Sequence, residues 1–290
     1  MTVSYRAARL DDLPAAVTVF RTALADLYAR TGVAAAPPRA PAVLAAYTHV
    51  RRTGTFHLAE ADGDIVALAS AVVRDDLWFL SAFWALPSWQ RQGIGRPLLE
   101  RVRQDGVRAG ARIFFTWSSL DPPAMAVYLK MGMLPGFPSL VFGGVPQELP
   151  PRPAGCETAP LERRVAQDFD RAVRGAAREA DHEHWLGSPH LASRQVIRGG
   201  RVAGYYYAGG GVAGPAAWMD PADADPILSL AMCDAAANGG EIRMSVPGVN
   251  HAAVRAALRA GLRLQTTSLH LTSAPFGRLD QYVASGPSLF

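Results

Sequence analysis

Lysine is nearly absent from this chain: of 29 basic residues, only Lys130 is not an arginine. The arginines are scattered, with no basic run and no aromatic platform between them, so the net charge of +4 does not point to a nucleic-acid partner. Cysteine occurs twice, at Cys156 and Cys233, which excludes a disulfide framework or a thiolate metal cluster and leaves reduced thiols as the expectation. The cluster Asp181-His182-Glu183-His184-Trp185, with His190 beyond it, lacks zinc-site spacing, so no metal is expected. No apolar run approaches the length that crosses a bilayer, and Met1-Thr2-Val3-Ser4-Tyr5-Arg6 lacks a signal-peptide core. These absences predict a cytoplasmic protein without a membrane partner. At 49% hydrophobic and 19% charged, 290 residues make a folded chain, long enough for two domains.

What is present is a turn. The apolar run 77–86 and Pro87 lead into Gln90-Arg91-Gln92-Gly93-Ile94-Gly95, and Pro97-Leu98-Leu99-Glu100-Arg101-Val102 comes next with positions 98, 99 and 102 on one helical face. The pattern is strand, glycine-bearing turn, helix, and Pro97 suits a first helical turn. Glycines there let the backbone approach a ligand, while the helix start offers N–H groups and its positive dipole end to a phosphate or pyrophosphate. A Walker loop is excluded, because Gly93-Ile94-Gly95-Arg96-Pro97 has neither the spacing nor the Gly-Lys-Ser/Thr. A dinucleotide fingerprint is excluded as well, since its third glycine falls on Leu98. What remains is Gln-x-x-Gly-x-Gly, and the stretch 83–99 that carries it resembles the GNAT superfamily of acyl-CoA-dependent N-acyltransferases.

A second block strengthens the resemblance. Asp121-Pro122-Pro123-Ala124-Met125-Ala126-Val127-Tyr128-Leu129-Lys130-Met131-Gly132-Met133 reads as a short helix, with Asp121 as N-cap, Pro122 at its first position and Gly132 as its stop. It is similar to the superfamily block Asn-x-x-Ala-x-x-x-Tyr-x-Lys-x-Gly-Phe, with Asp121 for Asn and Met133 for Phe. Along the chain, 5–8 reads as a strand. A helix opens at Asp11-Asp12-Leu13-Pro14 with Val17, Phe20, Leu24 and Leu27 inward, and a second helix runs to about Arg52. Strands 56–61 and 65–73 flank the hairpin turn Asp62-Gly63-Asp64.

The second half repeats the first in weakened form: strands 202–207 and 214–219, a helix 227–238, a strand 241–246, and a block 250–262 that overlays 121–133 without a gap. Asn250 falls on Asp121 and Gly261 on Gly132, but Ala257 replaces Tyr128, and Asp220-Pro221-Ala222-Asp223-Ala224-Asp225-Pro226 stands where the glycine loop would be. The expected fold class is α/β (an α+β mixed sheet) in two consecutive GNAT-fold domains, 1–145 and 156–290, with 146–155 as linker. Only the first domain is expected to keep a cofactor site.

The resemblance implies acetyl-CoA as acyl donor and a small-molecule amine as acceptor. It places Arg91, Gln92, Gly93, Ile94, Gly95 and Arg96 around the pyrophosphate, with Asp121 and Tyr128 also at the cofactor. Main-chain groups of Trp84, Ala85 and Leu86 would pair with the pantetheine arm and polarise the thioester carbonyl. Tyr128 is the candidate general acid for the departing thiolate. The base is open, because the strand before the loop holds no acid, histidine or cysteine. Candidates are Glu60, His57, Asp75 and Asp76, with Glu60 the one preferred. Trp78, His182 and His184 are candidate walls of the acceptor pocket. Other readings are a non-catalytic CoA-binding or sequestering protein, an O-acyltransferase, and transfer of a larger acyl group.

Overall fold

The computed structural model describes residues 2–237 and 240–290, and the chain divides into two compact units, Met1–Thr116 and Trp117–Phe290. The first unit runs β1 (Val3–Ala7), α1 (Leu13–Thr31), α2 (Ala40–Thr53), β2 (Thr55–Ala61), β3 (Asp64–Arg74), β4 (Leu77–Ala85), α3 (Gly95–Arg108) and β5 (Ile113–Ser118), whose last two residues fall in the second unit. Strands β1 to β4 pair antiparallel in chain order, joined at β2–β3 by the expected Asp62-Gly63 turn. Strand β5 then lies parallel to β4, from Leu77 opposite Ile113 to Leu80 opposite Thr116. Val66, Ala67, Leu68, Ala69, Ala71 and Val72 of β3 are all buried, which is why that strand reads as an apolar run broken only by the buried Ser70 and does not alternate. Phe20 of α1 and Tyr47 of α2 pack on the Phe56 side of the sheet. Leu98, Leu99 and Val102 of α3 are buried along the helical face that the sequence marks out.

The second unit runs α4 (Pro122–Lys130), β6 (Leu134–Gly144), β7 (Cys156–Pro160), α5 (Arg163–Val173), α6 (Glu179–Leu186), β8 (Ala192–Arg198), β9 (Arg201–Gly209), β10 (Val212–Trp218), α7 (Ala224–Ala235), β11 (Ile242–Pro247), α8 (His251–Arg259), β12 (Arg263–Thr272) and β13 (Tyr282–Val283). Strands β7 to β10 form an antiparallel meander, and β11 joins β10 in parallel. Strand β6 lies between β11 and β12, paired antiparallel on both sides. Its Phe142 sits in the same core as Ile227 and Leu228 of α7, Met244 of β11 and Ala253 and Ala257 of α8. Residues 117–145, which the sequence groups with the first half, therefore fold with the second. The stretch 145–155 between β6 and β7 carries no helix or strand.

Each unit is a mixed sheet flanked by helices, the α/β class expected. The helix expected over 227–238 begins earlier, at Ala224, and ends at Ala235; Asn238 lies outside the described residues. Helices α5 and α6 and strands β7, β8, β12 and β13 are additions to the sequence reading. Among the described residues no helix is long and apolar enough to cross a membrane.

Candidate functional site

The turn between β4 and α3 is built from two unlike halves. Residues 87–89 form a single 3-10 turn in which Trp89 N donates to Leu86 O at 2.8 Å. The backbone then takes left-handed values at Arg91 (φ 61°) and Gly93 (φ 81°) before α3 begins at Gly95. A Cβ on Gly93 would meet nothing within 4 Å, so conformation alone demands glycine there. Gly95 answers a different need: its Cβ would lie 2.8 Å from Cζ of Phe83, so β4 and the start of α3 pack as closely as they do only without it. Two amide side chains brace the loop. Gln90 Nε2 donates to Ala85 O at 3.1 Å, and Gln92 Nε2 to Ser88 O at 2.5 Å.

Ile94 occupies the N-cap of α3, and no side chain caps that end. The first-turn N–H groups of a 14-residue helix therefore face outward beside a glycine cradle, with the exposed Arg91 and Arg96 nearby. These residues suit a diphosphate: the segment offers amides, a helix dipole and two arginines, with no carboxylate in the loop itself. Of the main-chain groups at 84–86, Leu86 N already donates to Val66 O at 2.9 Å and Ala85 O accepts from Gln90. Alternation along a strand directs the Ala85 N–H to the side of β4 away from β3. Further back, β4 carries a bulge that the sequence does not announce: Ser70 pairs with Ala82 and Ala71 with Leu80, leaving Ser81 as the extra residue. Such a bulge bends the strand and re-aims the residues beyond it.

Other expected site residues take different places. Trp78 is fully buried, with its indole against Gly106 of α3 and its ring 5.3 Å from Phe114, so it is a core side chain and not a pocket wall. Trp84 meets Phe20 of α1 edge-on at 5.2 Å. Glu60 lies on β2, with β3 between it and β4, and its carboxylate is held by Arg6, which also grips Asp12 at 2.6 Å. That engagement argues against a proton-accepting role. His57 Nε2 lies 2.7 Å from Asp105 of α3.

In the second unit, Asp121 holds the N-cap position of α4, but its carboxylate does not cap the helix. Tyr128 sits near the end of α4 at 6% exposure; burial, with Asp121 adding to it, pushes its phenol well above the usual value. His182 is a correction. It is fully buried, its Nε2 2.9 Å from Asp170 and its Nδ1 2.9 Å from the Tyr207 hydroxyl. Asp170 also accepts from Arg178 and from Tyr205. Burial alone would raise the Asp170 carboxyl, yet Arg178, His182 and Tyr205 together hold it below the ordinary range. His184, two residues on, is half-buried on the same helix.

The second unit's counterpart of the loop is occupied by its own anions. Asp220 Oδ1 accepts from Ala222 N at 2.9 Å, and the fully buried Asp223 takes Arg198 at 3.0 Å and Arg201 at 2.8 Å at the start of α7. On α8, Asn250 caps the helix through Ala253 N at 3.0 Å, and Ala257, in the tyrosine position, is fully buried. Among the described residues, no group of three or more His, Cys, Asp or Glu side chains is placed to hold a metal ion.

Residues 21–133 match the model of the acetyltransferase (GNAT) family. No curated protein matches the chain. Among solved structures, a proposed acetyltransferase from Pyrococcus horikoshii is 17% identical with a TM-score of 0.79, covering 99% of this chain and 96% of that one. A GCN5-related N-acetyltransferase from Sphaerobacter thermophilus is 15% identical (TM-score 0.68) over 96% of this chain and 98% of its own. A tandem GNAT protein from the clavulanic acid biosynthesis pathway is 16% identical (TM-score 0.62) over 94% and 99%. Those identities speak of fold, and the likeness runs through both units. Residues 21–133 thus match the acetyltransferase (GNAT) family, on a chain whose fold is like that of tandem GNAT proteins.

Proposed function

We propose that this chain is an acetyl-CoA-dependent N-acetyltransferase that transfers directly to a small-molecule amine, with its cofactor site in the first half. The observation that carries this reading is the Gln90–Gly95 turn, where left-handed Arg91 and Gly93 deliver the backbone to an uncapped helix start. Acetyl-CoA supplies an acyl group already activated as a thioester. The amides at 92–96, with Arg91 and Arg96, hold the diphosphate, and the Ala85 N–H donates toward the oxygen where negative charge develops. Tyr128 donates its proton, or a strong hydrogen bond, to the departing thiolate, and the proton shed by the attacking amine passes to water, from which the phenol is restored; its raised pKa keeps it protonated at neutral pH. Asp220 and Asp223 place carboxylates in the matching turn of the second unit, where they would repel a diphosphate, which supports a single cofactor site per chain.

A second reading, a non-catalytic CoA-binding or sequestering protein, draws on the absence of any ionisable side chain along β4 and on the engagement of Glu60 by Arg6. Free-thiol release from acetyl-CoA with a panel of amines, run beside calorimetry with CoA, separates the two. Binding with amine-dependent thiol release supports the transferase; binding with no release across amines, alcohols and longer acyl donors supports the carrier. No heat with CoA ends both.

A further inference from the structure

Tyr5, outside both motifs, touches the cofactor loop. It lies on β1 opposite Ala59, while Ala7 lies opposite His57. His57 contacts Asp105 of α3, so by strand alternation Tyr5 faces the same helix. There its hydroxyl donates to the carbonyl oxygen of Ile94 at 3.1 Å, 89 residues along the chain. The guanidinium of Arg101 lies 4.8 Å from the centre of the Tyr5 ring, and Arg101 Nη1 donates back to Pro97 O at 3.2 Å. The cation is thereby folded toward the start of α3 and not along its length.

We propose that Tyr5 is a positioning residue for the phosphate loop and that it seats Arg101 as a further cation for the cofactor's phosphates. The peptide between Ile94 and Gly95 is a rigid plane, with its C=O and N–H pointing in opposite directions. Holding the Ile94 oxygen toward Tyr5 therefore aims the Gly95 N–H away from it, outward at the helix start. A loop with two left-handed residues gains most from such a brace, because amides fixed before binding lose no freedom when the anion arrives. The Tyr5 ring adds a cation–π seat that holds a long, exposed arginine in one place. The proposal rests on the CoA reading above.

The test is calorimetry with CoA on the full chain, paired with hydrogen exchange of the free protein and thermal unfolding. Tyr5→Phe keeps the ring and removes the hydroxyl. It is expected to weaken CoA about 3- to 10-fold, the range of one ordinary hydrogen bond, and to speed exchange in peptides covering 90–97 while the unfolding midpoint holds. Tyr5→Leu removes the seat of Arg101 too, and should weaken CoA further at low salt, an increment that high salt erases. Wild-type affinity and wild-type loop exchange in Tyr5→Phe would overturn the proposal. So would faster exchange spread evenly through β2 and β3, which marks a strand anchor only. If wild type itself gives no heat with CoA, the reading of the loop fails before any variant is compared, and this proposal falls with it.

Discussion

Tyr128 and Glu60 show how far a residue's chemistry depends on what surrounds it. Tyr128 is buried with its phenol pushed up, so it stays protonated through any workable assay. Tyr128→Phe should lower kcat about 10²- to 10³-fold while weakening CoA by no more than about 10-fold, the range of one hydrogen bond, and wild-type kcat should show no alkaline limb from this group below about pH 10. Steady-state rates against pH, with calorimetry for CoA, check both. Glu60 acts as a clamp between β2 and the Arg6–Asp12 pair. Glu60→Gln should keep kcat within about threefold of wild type, because a base removed outright would cost about 10²-fold or more; a loss of that size in an amine assay would restore the base. The loop residues were legible in the sequence because turn chemistry is local: a glycine at a left-handed position and a helix start leave their mark within a few residues. Trp78 and His182 were not, since a core aromatic and a pocket aromatic share one alphabet, and a buried histidine looks solvated until Asp170 and Tyr207 are beside it.

Among elements, those of the first unit were readable nearly throughout, because each carries its own period or punctuation. Helix α1 repeats its apolar face, and β2 and β3 are separated by Asp62-Gly63. Helices α5 and α6 were not readable, for a physical reason: Asp170, Arg174, Arg178 and Asp181 look like a solvated surface, yet each is at most 2% exposed. Opposite charges and hydrogen bonds compensate one another there, and a hydrophobic pattern cannot register that. The loop–helix junction makes the clearest element-level prediction, because its two glycines serve different ends. Gly95→Ala drives a methyl into the Phe83 ring and should cost about 1–3 kcal/mol while displacing α3 from β4. Gly93→Ala meets open space and should cost about 1 kcal/mol of backbone strain. Chemical denaturation reads the two costs, and both variants should bind CoA more weakly than wild type.

For the whole molecule, acid is the informative stress. His270 of β12 is 2% exposed and stacks on Phe137 of β6 at 4.5 Å, and burial pulls its imidazole from 6.5 down to about 4. The unfolded chain takes up this proton first, so the stabilisation is complete above about pH 6.5 and drains away as pH falls toward 4. The loss should be about 3 kcal/mol. Urea titrations across that window should show it in wild type and not in His270→Phe, where no proton can enter. The placement of His270 beside β6 was beyond the sequence, because pairing between distant strands leaves no local trace. Strand β6 itself has a practical consequence. Hydrogen-bonded along both margins by strands that lie past residue 240, it makes the second unit depend on a segment from before the linker. A protease nick within 146–153 should therefore leave two pieces that co-elute on a sizing column until denaturant is added. A recombinant piece ending at residue 145 should instead precipitate, its orphaned ribbon open on both flanks.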